Sequence, residues 1–151
     1  MPKITHETYI EAPIAKCFDL ARNVEKHMET TSHTNERAVA GVTTGLLQLG
    51  DSVTWEATHF GVTQKLTAKI IAMEAPHTFT DVMIRGAFHS FTHIHTFTEN
   101  SGGTMMKDTF TYRAPFGILG KVADHLFLER YMKNFIISRA NELKKIAEKK
   151  I

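Results

Sequence analysis

The chain has 151 residues, of which 42% are apolar and 23% charged, a composition typical of one globular domain with its own core. This composition excludes a disordered chain, a collagen-like fibre and a coiled coil, and a single cysteine, Cys17, excludes an intramolecular disulfide framework. Lysine and arginine total 18 against 16 aspartate and glutamate residues, so the charge is too balanced to predict a nucleic-acid partner.

The lengths of the apolar runs bear on the cellular location of the protein. Residues 1–10 contain no apolar run of signal-peptide length. The densest later run, residues 135–137, is far shorter than the roughly 20 residues that cross a bilayer. We therefore expect a cytoplasmic protein with no membrane span. We also expect residues 1–151 to form one domain, present as a monomer or a homodimer.

The first part of the chain predicts one strand followed by two short helices. Residues 3–10 alternate in polarity, as a strand does. Pro13 offers a helix start, and residues 24–28 predict a second short helix. The polar residues 29–35 then predict a loop, and residues 36–42 a short strand.

The middle of the chain predicts a run of hairpins. Turn signals separate the alternating segments, and strands joined by tight turns pair in the antiparallel sense. We therefore expect an antiparallel sheet. Its further strands are residues 52–60, 63–73, 78–85, 90–99 and 104–114.

The last part of the chain predicts a long helix. Pro115 ends the final strand, and residues 116–150 form the helix, with a break near residues 117–120. Arg139 interrupts its apolar stripe, and an inward contact to a carboxylate is one alternative for this side chain. The sheet must cover its apolar face, and this helix is the only predicted element long enough to do so. The stripe consists of Leu128, Met132, Phe135, Leu143 and Ile146.

This order of elements, together with the run Gly50 to Trp55 (GDSVTW), resembles the helix-grip fold of the START-like, or SRPBCC, superfamily. That group includes the birch pollen allergens and the polyketide cyclase/dehydrase-like proteins. The closer resemblance is to a bacterial branch of small single-domain SRPBCC proteins. It rests on residues 45–55, 59–62, 85–88 and 93–97, on Gly103 and Thr104 with Asp108, and on residues 115–120.

The resemblance implies an α+β fold. In that fold a curved antiparallel sheet of about six or seven strands wraps around a long C-terminal helix, with two short helices after the first strand. It also implies a deep cavity between sheet and helix that holds an apolar or amphipathic ligand. The branch brings no activity with it, and a fold by itself does not imply a function.

Hairpin registers predict which side chains meet. A two-residue turn at residues 101–102 places His95 opposite Asp108 and His93 opposite Phe110. This register keeps apolar residues together on one face, as a half-buried sheet requires.

Two further turns extend the same face. A turn at residues 61–62 places His59 opposite Gln64 and Trp55 opposite Ala68. A turn at residues 75–76 places Asp81 opposite Ile70, and the next pairing brings Asp81 beside one of two histidines. The candidate ligand-binding residues are Trp55, His59, Gln64, Asp81, Phe91, His93, His95, Asp108, Phe110, Tyr112 and Phe135.

Four of these residues are the candidates for chemistry: His93, His95, Asp81 and Asp108. Buried ionisable groups need partners. A network of Asp81, His95 and Asp108 would supply them, and it predicts a protonated His95 because carboxylates stabilise imidazolium. Six other histidines belong to no such constellation, and we expect them to be structural or exposed: His6, His27, His33, His77, His89 and His125.

Three interpretations of this cluster compete. The first is a hydrogen-bonded polar wall that orients a ligand or stabilises the fold. The second is acid–base catalysis, with His93 or His95 carrying the proton and Asp81 or Asp108 orienting the ring. The third, ranked last, is a metal site, because His-x-His is a weak motif and no third histidine lies obviously close. We therefore predict no cofactor.

The sequence thus predicts a module that binds a small apolar or amphipathic molecule between the sheet and the C-terminal helix. One alternative is a cofactor-independent cyclase, dehydratase or hydrolase that uses the inward histidines and aspartates. Another is an interaction protein whose cavity is incidental. That hypothesis predicts a cavity smaller than the roughly 300 Å³ needed for a drug-sized molecule.

Overall fold

The computed structural model describes residues 2–114 and 127–149. Its seven strands form one antiparallel sheet in the order β1-β7-β6-β5-β4-β3-β2. The strands are β1 (Lys3–Ile10), β2 (Arg37–Gly41), β3 (Ser52–His59), β4 (Val62–Glu74), β5 (Thr78–Arg85), β6 (Ser90–Asn100) and β7 (Gly103–Arg113). The helices are α1 (Ile14–Ala21), α2 (Val24–Thr30) and α3 (Glu129–Glu148), with a 3-10 turn at Ser32–Thr34.

The predicted fold is therefore confirmed, with two short helices after β1 and a long helix near the C-terminus. The predicted loop at residues 29–35 instead contains the end of α2 and the 3-10 turn. The predicted helix start and its break near residues 117–120 lie outside the described residues. No helix within residues 2–114 and 127–149 is long and apolar enough to cross a membrane.

The β6–β7 hairpin has the predicted register. His95 pairs with Asp108 and His93 with Phe110. The turn residues Ser101 and Gly102 both have positive φ, +49° and +83°, as in the two-residue hairpin turn whose twist matches the strands. This hairpin places one histidine and one aspartate side by side on the same face.

The predicted β3–β4 register is wrong by two residues. The turn lies at Phe60 and Gly61, which have φ of +55° and +75°, so Trp55 pairs with Leu66 and Ala57 with Gln64. Because Phe60 adopts the left-handed conformation, the chain reverses one residue earlier than predicted. A two-residue shift leaves the same side chains facing inward, since the strand period is two.

The β4–β5 pairing places Asp81 opposite Ile70, as predicted. The register shifts between Ile70 and Ala72, however, and a bulge of this kind changes which side chains face the core. As a result Ala72 is exposed, although it lies two residues after the buried Ile70, and Met73 packs against the core instead.

The helix α1 packs on the sheet through one apolar stripe. Ile14, Cys17, Phe18 and Ala21 are buried, which matches the spacing of one helical face. The ring of Phe18 makes an edge contact with Phe79, 5.4 Å between centroids. This packing holds α1 against the sheet.

The long helix α3 covers the concave face largely with the predicted stripe. Leu143 is buried, and Met132, with Leu128 just before the helix, packs against core residues. The small side chains of Ala140 and Ala147 are among its most buried, which lets the helix backbone approach the sheet. Lys144 Nζ donates to the carbonyl oxygen of Tyr9 at 2.7 Å and so ties α3 to β1. Larger side chains nearer the start of α3 leave a cavity between helix and sheet.

Candidate functional site

A cavity of about 400 Å³ lies between the concave face of the sheet and α3. This volume is enough for a drug-sized molecule, which counts against the hypothesis of an incidental cavity. The lining includes every predicted ligand-binding residue except Tyr112: Trp55, His59, Gln64, Asp81, Phe91, His93, His95, Asp108, Phe110 and Phe135.

Tyr112 does not line the cavity, which corrects its predicted position. Its side chain is completely buried, and its ring packs against Phe88 and Phe110 at 5.3 and 5.6 Å between centroids. Phe110 does line the cavity, so Tyr112 packs behind a residue of the cavity wall and has no surface in the cavity itself.

Two aspartate–histidine pairs form the polar wall of the cavity. His93 Nε2 donates to Asp108 Oδ1 at 2.9 Å, and His95 Nε2 donates to Asp81 Oδ1 at 2.9 Å. A longer contact of 3.5 Å joins His95 Nδ1 to Asp108 Oδ1. Adjacent strands β5, β6 and β7 supply these residues, so backbone pairing fixes their positions. The predicted network is therefore two pairs linked by one weaker contact.

Aromatic rings hold the two histidines in place. The rings of His93 and His95 stack at 3.8 Å between centroids. His95 also stacks on Phe79 at 4.1 Å, and the edge of Phe110 meets His93 at 5.5 Å. The imidazoles are thus fixed in orientation by packing as well as by hydrogen bonds.

The prediction of a protonated His95 is wrong. Burial, and to a smaller extent the nearby charge of His93, lower the pKa of His95 to about 4, against the opposing effect of the two carboxylates. Burial would raise the pKa of Asp108, but the hydrogen bond from His93 and the positive charges around it lower that pKa to about 2. At neutral pH a neutral imidazole therefore lies beside an ionised carboxylate.

A further polar pair lines the cavity, and the sequence did not indicate it. His27 from α2 bonds Glu36 through Nε2 at 2.7 Å, and its ring stacks on Trp55 at 4.0 Å between centroids. Burial lowers the pKa of His27, which favours the neutral ring. His27 and Glu36 are nine residues apart across the end of a helix, so no strand periodicity relates them.

Another polar contact lies where β3 meets α3. Tyr131 Oη and His59 Nδ1 are 2.5 Å apart, at the last residue of β3. Tyr131 also packs on Phe60 at 4.5 Å, and Phe60 on Phe127 at 5.3 Å. Phe60 and Phe127 are 55% and 60% exposed, so this aromatic cluster connects the cavity wall to the protein surface.

Arg139 points toward the cavity, as one alternative predicted. Its Nη2 donates to the carbonyl oxygen of Ala21 at 3.1 Å. Within the part of the chain that the structure describes, it makes no ion pair with a carboxylate. Its positive charge nevertheless contributes to the lowered pKa values of Glu36, Asp81 and Asp108. Arg139 therefore offsets part of the negative charge in the cavity.

A comparison with protein families finds one match along almost the whole chain. The family model described as polyketide cyclase / dehydrase and lipid transport matches residues 1–148. A comparison with curated proteins finds no match.

Solved structures share the fold at low sequence identity. TTHA0849 from Thermus thermophilus has a TM-score of 0.78 at 20% identity, covering 95% of each chain. Major latex-like protein 151 from Panax ginseng has a TM-score of 0.69 at 13% identity, covering 97% of each chain. StfQ, a di-domain ARO/CYC from the steffimycin biosynthetic pathway, has a TM-score of 0.76 at 13% identity, covering 97% of this chain and 50% of StfQ. At these identities the likeness establishes the fold alone.

Proposed function

The chain belongs to the polyketide cyclase/dehydrase and lipid transport family, and we propose that it binds a small apolar or amphipathic molecule in the cavity between the sheet and α3. The observation that carries this proposal is the cavity itself, about 400 Å³ in volume and lined by large apolar side chains. Pockets of this size and lining are the usual sites for small ligands.

The cavity wall has an apolar part and a polar part, which suit the two parts of an amphipathic ligand. Phe91, Phe110 and Phe135 offer apolar surface, which favours the hydrocarbon or aromatic part of a ligand because its burial releases water. The two aspartate–histidine pairs offer carboxylate and imidazole groups at one place on the wall. A ligand with a polar group at one end is thereby oriented. Cytoplasmic location and a monomeric or dimeric state stay predictions.

Trp55 gives a direct test of binding. It is the only tryptophan in the chain, lies 7% exposed in the wall and stacks on His27. We expect a saturable change in its fluorescence, at one ligand per chain, on titration with a series of medium-chain fatty acids and polycyclic phenols. No saturable response to any member of the series, with thermal stability also unchanged, would contradict ligand binding at this wall.

One observation favours catalysis as a second candidate function. His93 and His95 each donate to a carboxylate oxygen at 2.9 Å, and an imidazole oriented in this way is suited to carry a proton. A cofactor-independent cyclisation, dehydration or hydrolysis at this wall would use His93 or His95 as the proton carrier. Asp81 and Asp108 would orient the two rings.

Replacing His95 distinguishes the two functions. His95→Phe removes the ring nitrogens and keeps an aromatic side chain beside Phe79. If the protein only binds its ligand, we expect affinity to be unchanged or higher, with the ligand recovered intact from wild type. If it is an enzyme, turnover falls by about 100-fold or more while binding persists. His77→Phe, at an exposed position, is the matched control, and product formation is followed by mass spectrometry.

A further inference from the structure

Three side chains on neighbouring strands bring metal-ligating atoms together in the cavity wall. Asp81 lies on β5, and His93 and His95 lie two residues apart on β6, where Asp81 pairs with His93. One potential ligand atom from each residue lies within 4.8 Å of the others. Two histidines on one strand face and a third group from the adjacent strand converge because the strand period is two.

We propose that Asp81, His93 and His95 form a binding site for a divalent transition-metal ion such as Zn²⁺. Two imidazole nitrogens and one carboxylate oxygen are a ligand set that Zn²⁺ and Fe²⁺ accept. Zinc sites with three protein ligands leave a further position for water or a substrate. All three side chains line the cavity, so that open position faces the space in which a ligand would lie.

The surroundings of the three residues suit an ion. Asp108 accepts a hydrogen bond from His93 at 2.9 Å, and a carboxylate that holds one ring nitrogen orients the other nitrogen for a metal. The exposed fractions of the side chains are 18% for Asp81, 12% for His93 and 3% for His95, so water competes weakly. Ligand atoms bound to Zn²⁺ at about 2.0–2.2 Å lie within about 4 Å of one another, which is close to the 4.8 Å that separates these atoms at most.

The cavity also contains a natural control. His27 and Glu36 form a similar histidine–carboxylate pair, 2.7 Å apart, but no third histidine, cysteine or carboxylate joins them in a metal-ligating cluster within the described residues. A two-ligand pair binds an ion weakly compared with three converging ligands. The proposal therefore predicts that Zn²⁺ binds at Asp81, His93 and His95 and not at His27 and Glu36, although both sites combine histidine with a carboxylate.

The test uses chelator-treated, full-length protein and metal ions alone. Isothermal titration with Zn²⁺ is expected to show one tight site per wild-type chain. We expect Asp81→Asn and His93→Gln each to weaken Zn²⁺ affinity by more than about 100-fold. Removing the hydrogen-bond partner of a metal ligand lowers metal affinity by about 10–100-fold, and removing the ligand itself lowers it further. Asp108→Asn should fall within that lower range, and His27→Gln should bind as wild type does.

Three results would overturn the proposal. The first is that wild type does not bind Zn²⁺. The second is that the Asp81 and His93 variants bind Zn²⁺ as tightly as wild type does. The third is that His27→Gln loses as much Zn²⁺ affinity as those two variants. Co²⁺ bound to wild type gives an answer even if a variant fails to fold. Intense visible absorption of four- or five-coordinate Co²⁺ supports the site, and only the weak absorption of six-coordinate, hydrated Co²⁺ contradicts it.

Discussion

Replacing Ala57 by phenylalanine is expected to weaken binding of an amphipathic probe by more than about tenfold, or 1.4 kcal/mol. Ala57 is 6% exposed and lines the cavity from the middle of β3. A benzyl group at this position occupies space that the ligand needs. Phenylalanine also suits a strand, so the sheet pairing can be retained.

The measurement compares two alanine-to-phenylalanine variants of one sheet. Ala72 on β4 is exposed, so Ala72→Phe adds the same group outside the cavity and should bind the probe as wild type does. Overpacking costs about 1–3 kcal/mol, and the unfolding free energy of both variants is therefore measured alongside affinity. Wild-type affinity in a folded Ala57→Phe variant would show that the probe binds elsewhere.

Acidification is expected to destabilise the fold between pH 6.5 and about 4, the interval between the ordinary pKa of histidine and the lowered pKa of His95. The unfolded chain takes up a proton in this interval, whereas the folded chain keeps His95 neutral. Protonation therefore stabilises the unfolded state as the pH falls. The full loss from this one group is on the order of 3 kcal/mol. Burial lowers the pKa values of His27 and His59 as well, which adds to the loss in the same direction.

The variant His95→Gln tests how much of the stability lost on acidification is due to His95. Glutamine can still donate to Asp81, but it does not titrate. We expect urea unfolding in the presence of chelator to show a smaller decrease in unfolding free energy from pH 7 to pH 4 than wild type shows. His77→Gln, at an exposed site, controls for the loss of a histidine. The same decrease in His95→Gln and wild type would mean that His95 does not cause the acid sensitivity.

The hairpins show how far local sequence determines this fold. Gly102 supplies one of the two positive φ angles of the turn, and the alternation on both sides of that turn sufficed to predict the β6–β7 register. The β3–β4 turn escaped prediction because Phe60, an aromatic residue, takes the left-handed conformation there. Its ring contacts Tyr131 and Phe127, which lie far along the chain, so tertiary packing accounts for a choice that local propensity disfavours.

The residues of the candidate site also include some that the sequence could predict and some that it could not. Asp81, His93, His95 and Asp108 were predictable because they lie on three adjacent strands, where period and register determine neighbours. His27, Glu36 and Arg139 come from helices and a loop, and their approach depends on how those elements pack. The charge of His95 was predicted wrongly because the prediction considered its carboxylate neighbours but not the cost of burying a charged ring, which has the larger effect on its pKa.

Native mass spectrometry of wild type, Ala57→Phe and Ala72→Phe, purified in parallel and then incubated with the probe series, tests the central claim most directly. The account predicts one non-covalently bound small molecule per chain on wild type and on Ala72→Phe, released by denaturation, and none on Ala57→Phe. Retention of the same molecule by Ala57→Phe, or no bound molecule on wild type with any member of the series, would contradict it.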